Sequence, residues 1–170
     1  MSIVFDILKK KHLASPKTFE AVKAKAKKLQ AIMEDAKTCK AIQLVHKRNG
    51  TSTQIQAILH PGVLELGFKS EKTDLLPGLG SRPDFFMAIG DSGILMEVER
   101  GRTTENNMDL LDFWKCHLCK EADYLFLVVP KERQGKRGTT KPYERVLSRL
   151  AHFFATGNEV NVEAVFLFGY

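Results

Sequence analysis

Apolar residues in the first third of the chain recur at helical spacing. From Pro16, which suits a first helical turn, to about residue 35, they return every three or four positions. The residues of this apolar stripe are Phe19, Val22, Ala26, Leu29 and Met33. Lysines fill many positions off the stripe, so the pattern predicts a helix with a basic outer surface. That surface is either a solvated lysine face or a face that follows phosphates.

Two further helices are expected before residue 66. The first covers residues 39–45 and stops at Asn49-Gly50, a common helix C-terminal pair that could instead form a hairpin turn. The second is capped at residues 51–52 and is interrupted near residues 61–62, where a Pro-Gly pair stands.

From residue 66 onward, strand patterns alternate with helical ones. The predicted order from residue 51 is helix, strand, hairpin, helix, strand, helix and strand. After the first of these helices the elements are a strand at 66–72, a loop at 75–80, a hairpin at 82–101, an apolar helix capped by Thr103 or Thr104 and containing Met108, Leu111, Trp114 and Leu118, a strand at 124–129, a basic loop at 131–141, a helix at 143–154 and a strand at 162–168. This order predicts an α/β fold with a mixed sheet and helices on its faces.

The hairpin carries acids where a strand should be apolar. Side chains alternate between the two faces of a strand, so Glu97 and Glu99 point the same way. A turn that closes at residues 91–92 places Asp84 opposite Glu99. Glu97 then lies diagonal to Asp84, within its reach.

Three like charges on one face are destabilising unless a positive charge lies between them. A hard divalent cation is the natural candidate, because carboxylate oxygens suit Mg²⁺ or Mn²⁺. Such an ion can activate a nucleophile for phosphodiester cleavage.

Pro83-Asp84, a short hairpin and Glu97-Val98-Glu99 together resemble the PD-(D/E)xK motif of the restriction-endonuclease-like nucleases, in its Glu-x-Glu variant. In that family the Asp and the first acid bind the metal, and the last position, usually Lys, orients or activates the attacking water. The resemblance therefore implies Asp84 and Glu97 as metal ligands. Glu99 stands where Lys is usual, which implies that Glu99 works as ligand or base, that the basic role lies elsewhere, or that activity is lost.

The predicted element order also resembles the core of that fold. The core has a helix, a three-stranded antiparallel meander that carries the motif, a helix, and a further strand beside the first. The resemblance implies a restriction-endonuclease-like mixed β-sheet flanked by helices. It divides the chain into a basic helical extension at residues 1–50 and a nuclease-like core at residues 51–170.

Basic residues near the motif are the other candidates for the site. Lys115 is the candidate for a displaced basic residue, since its position flanks Leu111 on a side that should face the sheet; otherwise it extends into solvent. Arg100 and Arg102 could hold a DNA phosphate or act as counter-ions to the acids. Glu65 is a further acid or a surface residue.

Charge is distributed unevenly along the chain. The 170 residues carry a net charge of +6, but residues 1–50 hold 12 Lys and Arg against 4 Asp and Glu. Such an asymmetry suggests a polyanionic partner. No apolar run reaches the roughly 18 residues of a membrane span, and the first residues lack a signal-peptide pattern, so a cytoplasmic protein without a membrane partner is expected.

These observations predict a Mg²⁺-dependent (or Mn²⁺-dependent) deoxyribonuclease that hydrolyses phosphodiester bonds in DNA. The basic first helix and the loop at 131–141 would follow the DNA backbone. A cutter of both strands needs two sites, so a homodimer is compatible with this function, with the apolar stripe of the first helix as one candidate contact. The alternative is a catalytically inactive nuclease-fold protein that binds DNA or regulates another protein.

Overall fold

A computed structural model describes residues 2–46, 50–70, 82–100, 103–104, 106–135 and 138–170. The helices are α1 (Pro16–Glu34), α2 (Ala36–Val45), α3 (Ser52–Glu65), α4 (Met108–Leu118) and α5 (Pro142–Ala151), which continues into a 3₁₀ turn (His152–Phe154). The strands are β1 (Val4–Lys9), β2 (Lys69–Ser70), β3 (Phe85–Ile89), β4 (Ser92–Val98), β5 (Tyr124–Val129), β6 (Arg133–Gly135), β7 (Gly138–Thr140) and β8 (Ala164–Gly169).

Six strands form one mixed sheet in the order β1-β8-β5-β4-β3-β2. Strands β4, β5 and β8 run parallel, and the remaining neighbours are antiparallel. Helices α1, α2 and α3 pack with one face of the sheet and helices α4 and α5 with the other, each around its own apolar cluster. The predicted α/β class, a mixed sheet flanked by helices, is confirmed.

Helix α1 forms as the sequence predicts. Ser15 caps its first turn by accepting a hydrogen bond from the Thr18 amide, and the five residues of the apolar stripe are its buried residues. Because that stripe lies in the core of the same chain, it is not available to a second copy. The expected dimer contact through this stripe is therefore wrong.

Helix α3 runs through Pro61 and Gly62, where an interruption was expected. Proline removes one helical hydrogen bond, but packing offsets this cost. A Cβ at Gly62 would lie 2.8 Å from the Ile32 side chain, so the glycine lets α1 and α3 approach closely. The alternative hairpin turn near Gly50 is also wrong, since helices flank it on both sides.

Strand β1 was not predicted. Val4–Lys9 pairs antiparallel with β8 at the edge of the main sheet, so residues 1–50, expected to be helical, also supply a strand. The strand after α4 also differs from expectation, because β5 pairs with β4, the third strand of the meander, and not with the first. The loop expected at 131–141 contains the short antiparallel pair β6–β7.

The turn of the β3–β4 hairpin lies one residue earlier than expected, which shifts the pairing of the two strands by two residues. Ile89 pairs with Ser92, which leaves Gly90 and Asp91 as a two-residue turn, with Gly90 at a φ of 59°. Gly93 belongs to the strand, where a Cβ would come within 2.5 Å of the Phe86 ring. A shift by two residues keeps every side chain on its predicted face, because strands alternate with period two. The three acids therefore stay on one side.

Candidate active site

The acids of the meander gather where β4 ends. Asp84 precedes β3, and its Oδ2 accepts a hydrogen bond of 2.8 Å from the amide of Val98. Glu97 is 3% exposed and lies on the face that α4 and α5 cover. Glu99 follows β4, with its amide bonded to the carbonyl of Val128 on β5. The fold thus brings the three predicted acids to one end of the sheet.

Helix α4 adds a buried charged group to these acids. Nζ of Lys115 lies 3.0 Å from Oε1 of Glu97 and 2.9 Å from Oδ1 of Asp112. Asp112 has no solvent exposure. Within the described residues, Oδ2 of Asp112 has no hydrogen-bond partner. Lys115 therefore connects the strand acids to the helix, which is one of the two directions that the sequence left open, and Asp112 is a second partner that the sequence did not indicate.

A second buried acid of α4 is held by α5. Asp109 has no solvent exposure, and its Oδ1 lies 3.3 Å from Nη1 of Arg149. Arg149 also donates to the carbonyl of Thr104 and to the side chain of Asn107, which precede α4. Arg149 thus fixes the start of α4 and places its acids over the end of β4.

Burial dominates the protonation of the whole group. It raises the pKa of Glu99 to about 8, with the charges of Asp112 and Asp84 adding to the effect. Burial also raises the pKa of Asp112 to about 6, against the lowering effect of Lys115. For Glu97, burial and then Asp112 raise the pKa well above its ordinary value.

The remaining groups of the cluster follow the same pattern. Burial raises the pKa of Asp84, although the Val98 amide and Lys115 oppose that rise. Burial alone would lower the pKa of Lys115, but Asp112 and Glu97 outweigh it and raise that pKa. Lys115 is therefore charged at every pH in which the protein would work, while its acidic neighbours resist ionisation.

The other predicted residues do not join this cluster. Arg100 is only 4% exposed, and its Nε lies near the backbone of Gly50, which counts against a contact with a DNA phosphate. Arg102 lies outside the described residues. Glu65 is exposed at the far end of α3, and the residue of α3 that reaches the cluster is Gln56, whose side chain hydrogen-bonds Asp84.

Four residues of the site were not predicted from the sequence: Asp109, Asp112, Arg149 and Gln56. A signal for α4 was present, because Asp109, Asp112 and Lys115 stand three residues apart in an otherwise apolar helix and so share one side. The apolar residues of α4 were instead expected to face the sheet, which would place the acids outward. Leu111, expected toward the sheet, is 51% exposed.

The donor set matches a hard divalent cation in kind. Its oxygens are carboxylates, and their negative charge exceeds the charge of the lysine they share. The positions of these side chains do not match such a cation. Within the described ranges, no three or more His, Cys, Asp and Glu side chains are placed to hold a metal ion. Lys115 takes the place of a cation between Glu97 and Asp112, so an ion would compete with its ammonium group.

Neither the scan against protein-family models nor the search of curated proteins finds a match. Among solved structures, the chain is similar to the restriction endonuclease BglII complexed with a DNA 16-mer, at 13% sequence identity and a TM-score of 0.47. That similarity covers 99% of this chain and 78% of the other. None of the helices in the described ranges has the length and hydropathy needed to cross a bilayer.

Proposed function

We propose that the protein is a metal-dependent nuclease that hydrolyses phosphodiester bonds in DNA. One observation carries the proposal. Four carboxyl groups at the end of β4, those of Asp84, Glu97, Glu99 and Asp112, influence one another's protonation and share Lys115 as their cation. Such a surplus of buried acid is costly and is typical of sites that bind a cation.

Asp84, Glu97 and Glu99 would be the ligands of Mg²⁺ or Mn²⁺, and the ion would compete with the Lys115 ammonium for Glu97, because these side chains are not placed as a metal-binding group in this structure. Such an ion, when bound, activates water and neutralises charge on a phosphate. The Val98 amide keeps Asp84 in place, and Asp112 holds the Lys115 ammonium against Glu97. Lys115 is thus positioned to orient water or to stabilise negative charge, the role usually given to the lysine of the motif.

The substrate is proposed from charge. Residues 1–50 carry the excess of Lys and Arg, and the segment 131–141 holds five basic residues against one acid. A polyanion such as DNA matches both regions, and its affinity should fall steeply with salt. A homodimer stays a prediction, without the apolar stripe of α1 as its contact.

The test is cleavage of supercoiled DNA with Mg²⁺ or Mn²⁺. We expect metal-dependent nicking that Asp84→Asn lowers by about 100-fold or more. The amide oxygen of Asn can still accept from Val98, so this variant should fold. Asp91→Asn, in the exposed turn at the other end of β4, is the matched control and should cleave normally. Cleavage that survives Asp84→Asn would refute the proposed site.

An inactive DNA-binding protein is the second candidate. It is favoured by the contacts of Lys115, which already neutralises part of the acidic cluster without a metal. DNA retention that falls with salt, without nicking under either ion, would select this function over the nuclease.

A further inference from the structure

The main sheet ends at β1, and the outer edge of this strand is open. Among the described strands, β1 pairs with β8 alone, along all six of its residues in one unbroken register. The strand at the opposite edge, β2, has only two residues. Proteins usually block an open edge with a proline, a bulge or a very short strand, and β1 has none of these.

The main-chain groups of alternate residues point out of this edge. The amide of Lys10, directly after β1, donates to the carbonyl of Glu163 at 3.0 Å, so the even-numbered residues of β1 face β8. Phe5, Ile7 and Lys9 therefore direct their N–H and C=O groups outward. Within the described ranges, no hydrogen bond outside the sheet pairing involves the main chain of these three residues. Their main-chain groups are free to pair with a further strand.

The side chains of Phe5 and Ile7 lie on the face of the sheet that α1 covers, and they are only partly buried. Both pack against the apolar cluster of that face, with the ring centre of Phe5 5.0 Å from that of Phe168. From α1, Nζ of Lys27 lies 4.6 Å from the centre of the Phe5 ring. A further strand would cover the open side of these residues and place its own side chains beside that lysine.

Lysines line this face along the whole open edge. At the other end of β1, Nζ of Lys9 lies 5.1 Å from the centre of the Phe19 ring on α1. Phe19, Lys23 and Lys27 stand four residues apart on α1, so Lys23 lies between the two contacts. Lys23 has an exposed partner, Glu20, at 3.4 Å. The edge of β1 is therefore flanked by a row of three cationic side chains.

A second copy of the chain fits this edge poorly, because self-pairing brings like charges together. Two antiparallel β1 strands centred on Asp6 would place one Asp6 directly opposite the other. Centred on Ile7, they would place Lys9 opposite Phe5 of the second copy, over which Lys27 already lies. Registers centred further along shorten the pairing. The row of lysines instead matches a partner with negative charge.

We propose that the open edge of β1 binds an extended acidic segment of another protein as a further strand. The main chain of this segment bonds to the outward groups of Phe5, Ile7 and Lys9. Its acidic side chains, at every second position, meet Lys9, Lys23 and Lys27. Strands β8 and β5 separate β1 from β4, so the bound segment leaves the acids at the end of β4 uncovered.

The test uses a peptide of alternating Val and Glu, about eight residues long, which is enough to span β1. Two further versions carry N-methyl groups either on all Val amides or on all Glu amides. In a bound strand one of these rows faces β1 and the other faces solvent. One methylated peptide should therefore bind at least about tenfold more weakly in calorimetry, and the other should stay within about threefold of the parent.

Charge reversal tests the row of lysines. Lys9→Glu combined with Lys27→Glu should weaken binding of the parent peptide by at least about tenfold, because attraction becomes repulsion. Lys28→Glu combined with Lys40→Glu changes the net charge equally at exposed positions outside the row and should stay within about threefold. In the wild-type chain, hydrogen exchange at the amides of Phe5, Ile7 and Lys9 should slow by at least about tenfold when the peptide binds.

Three results would overturn the proposal. Equal binding of the two methylated peptides, or unchanged exchange at the three amides, shows that no strand is added. Protection of these amides that rises with protein concentration in the absence of peptide shows that a second copy occupies the edge. Displacement of the peptide by duplex DNA, with both methylated peptides bound alike, assigns the lysines to phosphates. None of these results bears on cleavage at the end of β4.

Discussion

Helices α1 and α4 carry apolar residues at similar spacing, but α4 buries acids beside its apolar side chains, whereas α1 buries apolar side chains alone. Helix α1 buries its apolar stripe completely and turns its lysines outward. Helix α4 leaves Leu111, Trp114 and Leu118 about half exposed and buries Asp109 and Asp112. The spacing of apolar residues therefore predicts a helix in both cases. It predicts which side of the helix is buried only where the sheet offers no charged side chain to pair with the helix.

The partners of α4 explain the reversal. Lys115 meets Glu97 on β4, and Asp109 meets Arg149 on α5. Without these charged partners, burial of each acid would lower the free energy of unfolding by several kcal/mol. The orientation of α4 therefore depends on residues that are far apart in sequence. The inward face of helix α1 is set by its apolar stripe, which its own sequence already displays.

The largest expected effect tests the charged partner of α4. Lys115→Met should destabilise the protein by about 3–5 kcal/mol at pH 8, because it leaves Glu97 and Asp112 buried without their cation. Urea unfolding in EDTA measures the change. Lys28→Met, on the exposed side of α1, should stay within about 0.5 kcal/mol. Equal stability of the two variants would show that α4 is not held by charge.

The next effect tests the apolar sides of the two helices. Leu29→Ala in α1 should cost about 2–5 kcal/mol, because this side chain has no exposure and would leave a cavity. Leu111→Ala in α4 should cost less than about 0.5 kcal/mol. Chemical denaturation of both variants gives the comparison, and a large cost at Leu111 would contradict the orientation of α4.

The smallest effect is the pH dependence of stability. The folded chain keeps a proton on Glu99 up to about pH 8, whereas the unfolded chain releases it near 4.5. The folded state then binds more protons in this window, so the free energy of unfolding should fall as pH rises from 6 to 8. Glu99→Gln should reduce that fall.

Wild type and Glu99→Gln must be compared, because His46 changes the free energy of unfolding with pH in the opposite direction to Glu99. Burial lowers the pKa of His46, so its contribution grows as pH rises through the ordinary histidine range. Thermal melts in EDTA at several pH values measure both chains. An identical pH slope in wild type and Glu99→Gln would show that Glu99 is ionised in the folded protein.

Local patterns predicted most of the fold and the strand acids of the site. The order of elements after residue 51 and the five buried positions of α1 follow from periodicity, which burial enforces locally. The acids stayed together although the hairpin register was wrong, because the error was an even number of residues. Strand β1 was missed since its pairing with β8 joins the two ends of the chain.

The remaining part of the site was not predictable from local pattern. Asp112 and Arg149 gain their roles only when α4 and α5 pack on the same face of the sheet. Gln56 reaches Asp84 because α3 begins beside the end of the meander. None of these contacts can be predicted from the spacing of apolar residues.

The central claim is that Asp84, Glu97 and Glu99, at the end of β4, form one cation-binding site. Titration of the metal-free protein with Mn²⁺, followed by calorimetry, tests it most directly. We expect one ion per chain, with affinity at least about tenfold lower in Asp84→Asn and unchanged in Asp91→Asn. Absence of binding, or equal binding by all three chains, would contradict the claim.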